Sequence, residues 1–262
     1  MISLTVMQND FIAVFDSGVG GISVLKHLKA LLPNERYLYF GDCANAPYGS
    51  RSTEEVRALT LAAAEKLVAE NHIKALVVAC NTATAAAIGT LREKYPQLVI
   101  IGIEPALKLA ADAFPGGRIG VMATEVTLRE EKFDTLMHRF DANCTVKKIP
   151  APGLVELIEA GKADSRDAEQ LLKSVLAPYL GTLDALVLGC THYPFAAKAI
   201  TRVLGKEVTL LDGGEGTARE TKRRLEQANL LCDGTIPGYV IFQNSADDDR
   251  LSRFYLEVIR HE

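Results

Sequence analysis

The chain has 262 residues, with 29 Lys and Arg against 33 Asp and Glu, a net charge of −4 and a pI near 5.8. That balance excludes the basic footprint of a nucleic-acid binder, and no apolar run of about 20 residues is present to cross a membrane. With 48% hydrophobic and 24% charged residues, it has the make-up of a globular protein, long enough for one large domain or two compact ones of roughly 100–150 residues.

In chain order, Met1–Asp10 lacks the layout of a signal peptide. Phe11–Phe15 then reads as a strand, Ile22–Leu32 as a helix stopped by Pro33, and Tyr37–Phe40 as a strand. Ser52 and Glu55 have capping-box spacing and open an amphipathic helix that ends near Asn71. The apolar run from Ala75 leads to Cys80 and an Ala-rich helix, followed by a strand over Leu98–Ile103 and a helix over Pro105–Phe114. Arg118–Ala123 reads as a strand feeding a helix over Thr127–Phe140, and Val146–Ile149 as a short strand. Helices over Gly153–Ala160 and Ser165–Leu180 precede a second apolar run, from Ala185, which leads to Cys190 and its helix. Val208–Leu211 as a strand, Glu215–Asn229 as a helix, Tyr239–Phe242 as a strand and a helix from Asp248 complete the chain.

Alternation of this kind predicts an α/β fold with mainly parallel sheets. Two echoes divide it. Phe11–Ser17 has a counterpart in Arg118–Thr124, and Ala75–Thr82 has one in Ala185–His192. The expectation is two pseudo-symmetric, open, flavodoxin-like domains with the active site in the cleft between them. The first comprises residues 1–98 with 211–262 and carries Cys80; the second, 99–210, carries Cys190.

Ligands of open α/β sheets bind at the carboxyl ends of strands, and several polar segments fall there. Asp16 and Ser17 open a glycine-rich turn, Gly18 to Gly21, which lets backbone approach a ligand at a helix N-terminus. Pro47-Tyr48-Gly49 lies in a turn-rich loop that could present amides to a carboxylate. Cys80 and Cys190 take matched positions before helix starts, which favour thiolate, and donors follow each directly: Asn81 and Thr82, Thr191 and His192. The five cysteines are odd in number and widely spaced. They read as reduced thiols of a cytoplasmic protein, and with no Cys-x-x-Cys pair no metal site is expected. A thiol pair across a cleft has three uses: a redox disulfide, a nucleophile with its resolving group, or two acid/base groups on opposite faces of one carbon.

Asp16-Ser17-Gly18 with Gly20-Gly21, Pro47-Tyr48-Gly49, Cys80-Asn81-Thr82 and Gly189-Cys190-Thr191-His192-Tyr193-Pro194 together resemble the aspartate/glutamate racemase family, its glutamate racemases in particular. The resemblance spans about Phe11 to Phe254. It implies cofactor-independent interconversion of L- and D-glutamate, supplying D-glutamate for bacterial peptidoglycan, with Cys80 and Cys190 as the two proton donor/acceptors. It further implies that Asp16 assists Cys80, that His192 and Glu159 assist Cys190, and that Asp16, Ser17, Tyr48, Gly49, Asn81, Thr82, Thr124, Thr127, Thr191 and His192 bind substrate. Glutamate is the expected partner, with no nucleic acid and no membrane, and a homodimer is left open. Where many relatives carry a cysteine beside the proline ahead of Gly153, this chain reads Ile149-Pro-Ala-Pro152, so no third pocket thiol is implied.

Overall fold

The computed structural model describes residues 6–260 apart from 130, 141 and 142. Residues 1–5, on which the reading of the N-terminal segment partly rests, lie outside them. The strands are β1 (Phe11–Asp16), β2 (Tyr37–Gly41), β3 (Ile73–Val78), β4 (Val99–Gly102), β5 (Arg118–Ala123), β6 (Thr145–Pro150), β7 (Ala185–Leu188), β8 (Thr209–Asp212) and β9 (Val240–Asn244). The α-helices are α1 (Ile22–Leu31), α2 (Thr53–Glu70), α3 (Asn81–Lys94), α4 (Leu107–Ala113), α5 (Glu125–Arg129), α6 (Glu131–His138), α7 (Leu154–Glu159), α8 (Arg166–Leu176), α9 (Ala197–Leu204), α10 (Gly214–Gln227) and α11 (Arg250–Arg260).

Two parallel sheets result, a five-stranded one in the order β4-β3-β1-β2-β9 and a four-stranded one in the order β6-β5-β7-β8. With β9 set aside as an added edge, both have the same winding: a first strand flanked by the second on one side and by the third and fourth on the other. Thus β5 occupies the place of β1 and β7 that of β3, as the sequence echoes anticipate. Every residue of β3 is buried, as parallel strands covered on both faces require. Even Lys74 is 0% exposed, its ammonium meeting the Glu35 carboxylate and the carbonyls of Gln8 and Leu230. A buried charge needs this many partners, and the cluster ties the chain ahead of β9 to the first sheet.

Apolar cores lie on both faces of each sheet. The first sheet packs α2 and α3 on one face and α1, α10 and α11 on the other; the second packs α7, α8 and α9 against α4, α5 and α6. The capping box of α2 forms as expected, the Ser52 hydroxyl accepting the Glu55 N–H at 3.2 Å and the Glu55 carboxylate accepting the Ser52 N–H at 2.9 Å. Phe195 and Phe254, with centroids 4.9 Å apart, join α11 to the turn that follows Cys190.

The expected domain boundaries are displaced at both crossings. Val99–Gly102 pairs with β3, so the chain leaves the first sheet after β4, and Thr209–Asp212 pairs with β7, so it returns after residue 212. A short buried run such as Val99–Ile101 suits the edge of either sheet, and only pairing chooses. The helix expected over Thr127–Phe140 is divided into α5 and α6, with residue 130 between them outside the described residues. The helix expected to reach Leu180 ends at Leu176 and tightens into a 3₁₀ turn at Ala177–Tyr179, because Pro178 supplies no N–H to continue it. Among the described residues, no helix is long and apolar enough to cross a membrane.

Candidate active site

In each sheet the winding reverses between the first strand and the third, β1 and β3 or β5 and β7, and the crevice of such a sheet opens beyond the carboxyl ends of those strands. Asp16 ends β1, Cys80 stands two residues beyond β3, Thr124 follows β5, and Cys190 stands two residues beyond β7. The four strand ends face one another, and hydrogen bonds cross between the domains. The Thr191 hydroxyl donates to Asp16 Oδ2 at 3.0 Å, and the Val19 N–H donates to Glu159 Oε1 at 2.9 Å. Two glycines permit this approach. A Cβ on Gly18 would stand 1.9 Å from Glu159 Oε1, and one on Gly20 would stand 2.4 Å from His192 Nδ1.

On the first domain's side, Cys80 is the N-cap of α3, and its sulfur accepts the Ala83 N–H at 3.5 Å. Ser17 Oγ lies 3.7 Å from the same sulfur. The expectation that the helix start would favour thiolate is reversed here. Burial, followed by the negative charge of Asp16, pushes the Cys80 thiol up to about 12, and the Ala83 and Ser17 contacts only moderate this. Cys190 lies near enough to add to the upward push. Asp16 itself is 0% exposed. Burial raises its carboxyl from the ordinary range, while His192, the Gly18 N–H at 2.9 Å and the Thr191 hydroxyl pull it back. Its carboxylate bonds to Gly18 and Thr191, and it acts on Cys80 through charge.

Across the cleft, Cys190 does not cap a helix. Tyr193–Ala196 forms a 3₁₀ turn before α9 begins, because Pro194, four residues on, has no N–H to give the Cys190 carbonyl in an α-helix capped at Cys190. What faces the Cys190 sulfur is His192 Nδ1 at 3.7 Å, and His192 Nε2 is 2.7 Å from Glu159 Oε1. Burial alone would lower the imidazole, but its bonds to Cys190 and Glu159 and the negative charges of Cys190 and Asp16 outweigh this and raise it well above its usual value. Both of these contacts favour the protonated ring. Glu159 shows the reciprocal effect: burial raises it, but the bond and charge of His192 and the Val19 N–H bring it below the ordinary range.

The hydroxyls of Thr82, Thr124 and Thr127 form a triangle with edges of 3.1, 3.2 and 3.0 Å, bringing α3 of one domain against α5 of the other. Gly49 packs on the Thr124 side chain. Tyr48 is buried and donates its hydroxyl to Asp42 Oδ2 at 2.5 Å, so it fixes the loop while leaving the loop backbone to face the cleft. Asn81 is buried, and its Oδ1 has no hydrogen-bond partner among the described residues. A cavity of about 460 Å³ reaches Asn81 and Thr127 from the side of Glu104, Phe133 and Arg139.

Contacts between the domains thus join Asp16 to Thr191, Val19 to the Glu159–His192 pair, and Thr82 to Thr124 and Thr127, whereas the Tyr48 hydroxyl is turned to Asp42. The sequence reading passed over Ser23, whose hydroxyl is 3.0 Å from the Thr191 carbonyl, and Asp42, which anchors Tyr48 and Asn45. Nothing local marks Ser23, whose partner is 168 positions away, whereas the partners of Asp42 lie within its own turn-rich loop.

Comparison with known proteins agrees with this arrangement. The family model for Asp/Glu/Hydantoin racemases matches residues 20–221. A glutamate racemase of Clostridium botulinum is 46% identical over 245 residues, covering 93% of this chain and 95% of that protein. Among solved structures, a glutamate racemase isoform of Bacillus anthracis superposes with a TM-score of 0.87 at 32% identity, covering 97% of this chain and 95% of that one. The Escherichia coli glutamate racemase, solved with L-glutamate and the activator UDP-MurNAc-Ala, gives a TM-score of 0.83 at 31% identity over 96% of this chain and 95% of its own. With the family model and a close relative both spanning most of its length, this chain belongs to the Asp/Glu/hydantoin racemase family.

Proposed function

We propose that this protein interconverts L- and D-glutamate by a two-base mechanism in which Cys80 and Cys190 act on opposite faces of the α-carbon. The observation that carries the reading is the unequal setting of two matched thiols: burial beside Asp16 favours the protonated form of Cys80, whereas the Cys190 sulfur faces the His192 ring at 3.7 Å. In this proposal Cys80 is the acid and Cys190 the base for one direction of reaction. Glutamate lies in the cleft, its carboxylates taken by the hydroxyls of Ser17, Thr82, Thr124 and Thr127 and the amides of Asn81 and the Tyr48–Gly49 loop, while Thr191 holds Asp16. Asp16 and the unpartnered Asn81 Oδ1 accept from its ammonium. The Cys190 thiolate removes the α-proton, forming an S–H bond as the C–H bond breaks, and the electron pair passes to a carbanion-like transition state. Cys80 then gives its proton to the opposite face and becomes the thiolate that accepts the other enantiomer.

In this reading the second domain is inserted into the first, and the enzyme works in the cytoplasm to supply D-glutamate for peptidoglycan; a homodimer remains an assembly to test by sedimentation. The function itself is tested by incubating each enantiomer in D₂O and following deuterium at the α-carbon. The expected result is label in the product enantiomer from either direction, with glutamate turned over well ahead of aspartate. A Cys80→Ser, Cys190→Ser double variant that racemised glutamate at the wild-type rate would end the proposal.

A further inference from the structure

We propose that Ser23 is a positioning residue for Cys190, supplying across the domain cleft a hydrogen bond that the Cys190 segment cannot make for itself. Cys190, Thr191 and His192 lead directly into the 3₁₀ turn at Tyr193–Ala196. In such a turn the Thr191 carbonyl would accept the N–H of the residue three positions on. That residue is Pro194, which has none. The next N–H along, that of Phe195, goes to the His192 carbonyl at 3.1 Å. A buried carbonyl left without a donor is costly, and Ser23 Oγ, in the first turn of α1, stands 3.0 Å from it.

The same hydroxyl is 2.9 Å from the Gly20 carbonyl, but that acceptor already takes the Ser23 N–H at 3.0 Å. The hydroxyl is therefore dispensable to α1 and needed by Thr191. Around it, the Thr191 hydroxyl meets Asp16 and the His192 ring lies against Gly20. Ser23 thus holds the backbone between the sulfur of Cys190 and the imidazole that faces it. Cys80, capped within its own helix by Ala83, requires no such support.

This proposal rests on the racemase reading, and the test separates the two. Wild type, Ser23→Ala, Pro194→Ala and the double variant are compared using L- and D-glutamate deuterated at the α-carbon. Ser23→Ala is expected to lower kcat about tenfold, the loss of one well-placed hydrogen bond and the geometry it sets. Its primary isotope effect should rise for one enantiomer only, the same one that responds to His192→Asn. In the Pro194→Ala background, where position 194 regains an N–H, the cost of Ser23→Ala should shrink. An unchanged kcat, isotope effects that move equally for both enantiomers, or strict additivity with Pro194→Ala overturns the proposal. A wild-type chain that exchanges no α-proton overturns the racemase reading and this inference together.

Discussion

The two thiols occupy equivalent strand ends of equivalently wound sheets, yet their supports come from different places. Cys80 is served from within its own domain: the Ala83 N–H one turn into α3 and the Ser17 hydroxyl at the end of β1. Cys190 is served by His192 two residues on, but the imidazole is oriented by Glu159 from α7, and Glu159 is in turn held by the Val19 N–H of the other domain. The direct contacts of the Cys80 sulfur come from its own domain, whereas the chain of contacts behind Cys190 ends on a backbone N–H of the other. Pseudo-symmetry of the backbone thus places two groups about a substrate without making them chemically alike. The difference suits a reaction that needs one acid and one base at each turnover.

The largest effect expected is from removing the thiols themselves. Cys80→Ala and Cys190→Ala should each reduce racemisation by at least about 10²- to 10⁴-fold, the ordinary worth of a positioned acid or base, as measured by polarimetry in both directions. Retention of activity by either variant would break the pairing on which the comparison rests.

Gly20→Ala should act on one half alone. Its methyl would stand 2.4 Å from His192 Nδ1 and 2.6 Å from Thr191 Oγ1, while the Cys80 contacts lie elsewhere. A loss in kcat of about 10- to 100-fold is expected from displacing the imidazole, together with about 1–3 kcal/mol of stability from overpacking. Isotope effects measured for the two enantiomers should diverge, and equal effects would show that the halves are coupled more tightly than their contacts indicate.

A smaller change, and one that depends on pH, is expected from Glu159→Gln. His192 is raised in the folded protein, so the stabilisation from its charge is complete below the ordinary imidazole value of 6.5 and is lost as pH rises through the elevated folded value. Without the Glu159 carboxylate that elevation diminishes, and the alkaline limb of kcat against pH should move to lower pH, with a severalfold loss above neutrality. A limb that stayed in place would mean that Cys190 alone maintains the imidazolium.

Much of this was readable from the chain. Buried apolar runs ending on Cys80 and Cys190 identify strand ends because a parallel strand covered on both faces must be apolar throughout. The polar residues beyond such ends have the crevice as their setting, which is why Asp16, Ser17, Asn81, Thr82, Thr191 and His192 were all accessible to inspection. Pro194 stands in the same stretch, but the likeness to the Cys80 segment pointed to a helix start after Cys190, where a 3₁₀ turn forms instead. Ser23 and the register of β4 were not accessible in this way, since each is decided by a partner far along the chain.

Sequence alone determined where the two sulfurs stand, through hydrophobic periodicity and the right-handed winding of strand and helix. It did not determine their protonation. Local pattern places Cys80 at a helix start, which favours thiolate. The assembled fold instead buries it beside Asp16 and sets the His192 ring, its proton affinity raised by its bonds to Cys190 and Glu159, against Cys190. Proton affinity follows desolvation and nearby charge, and both are supplied by residues that only tertiary structure brings together.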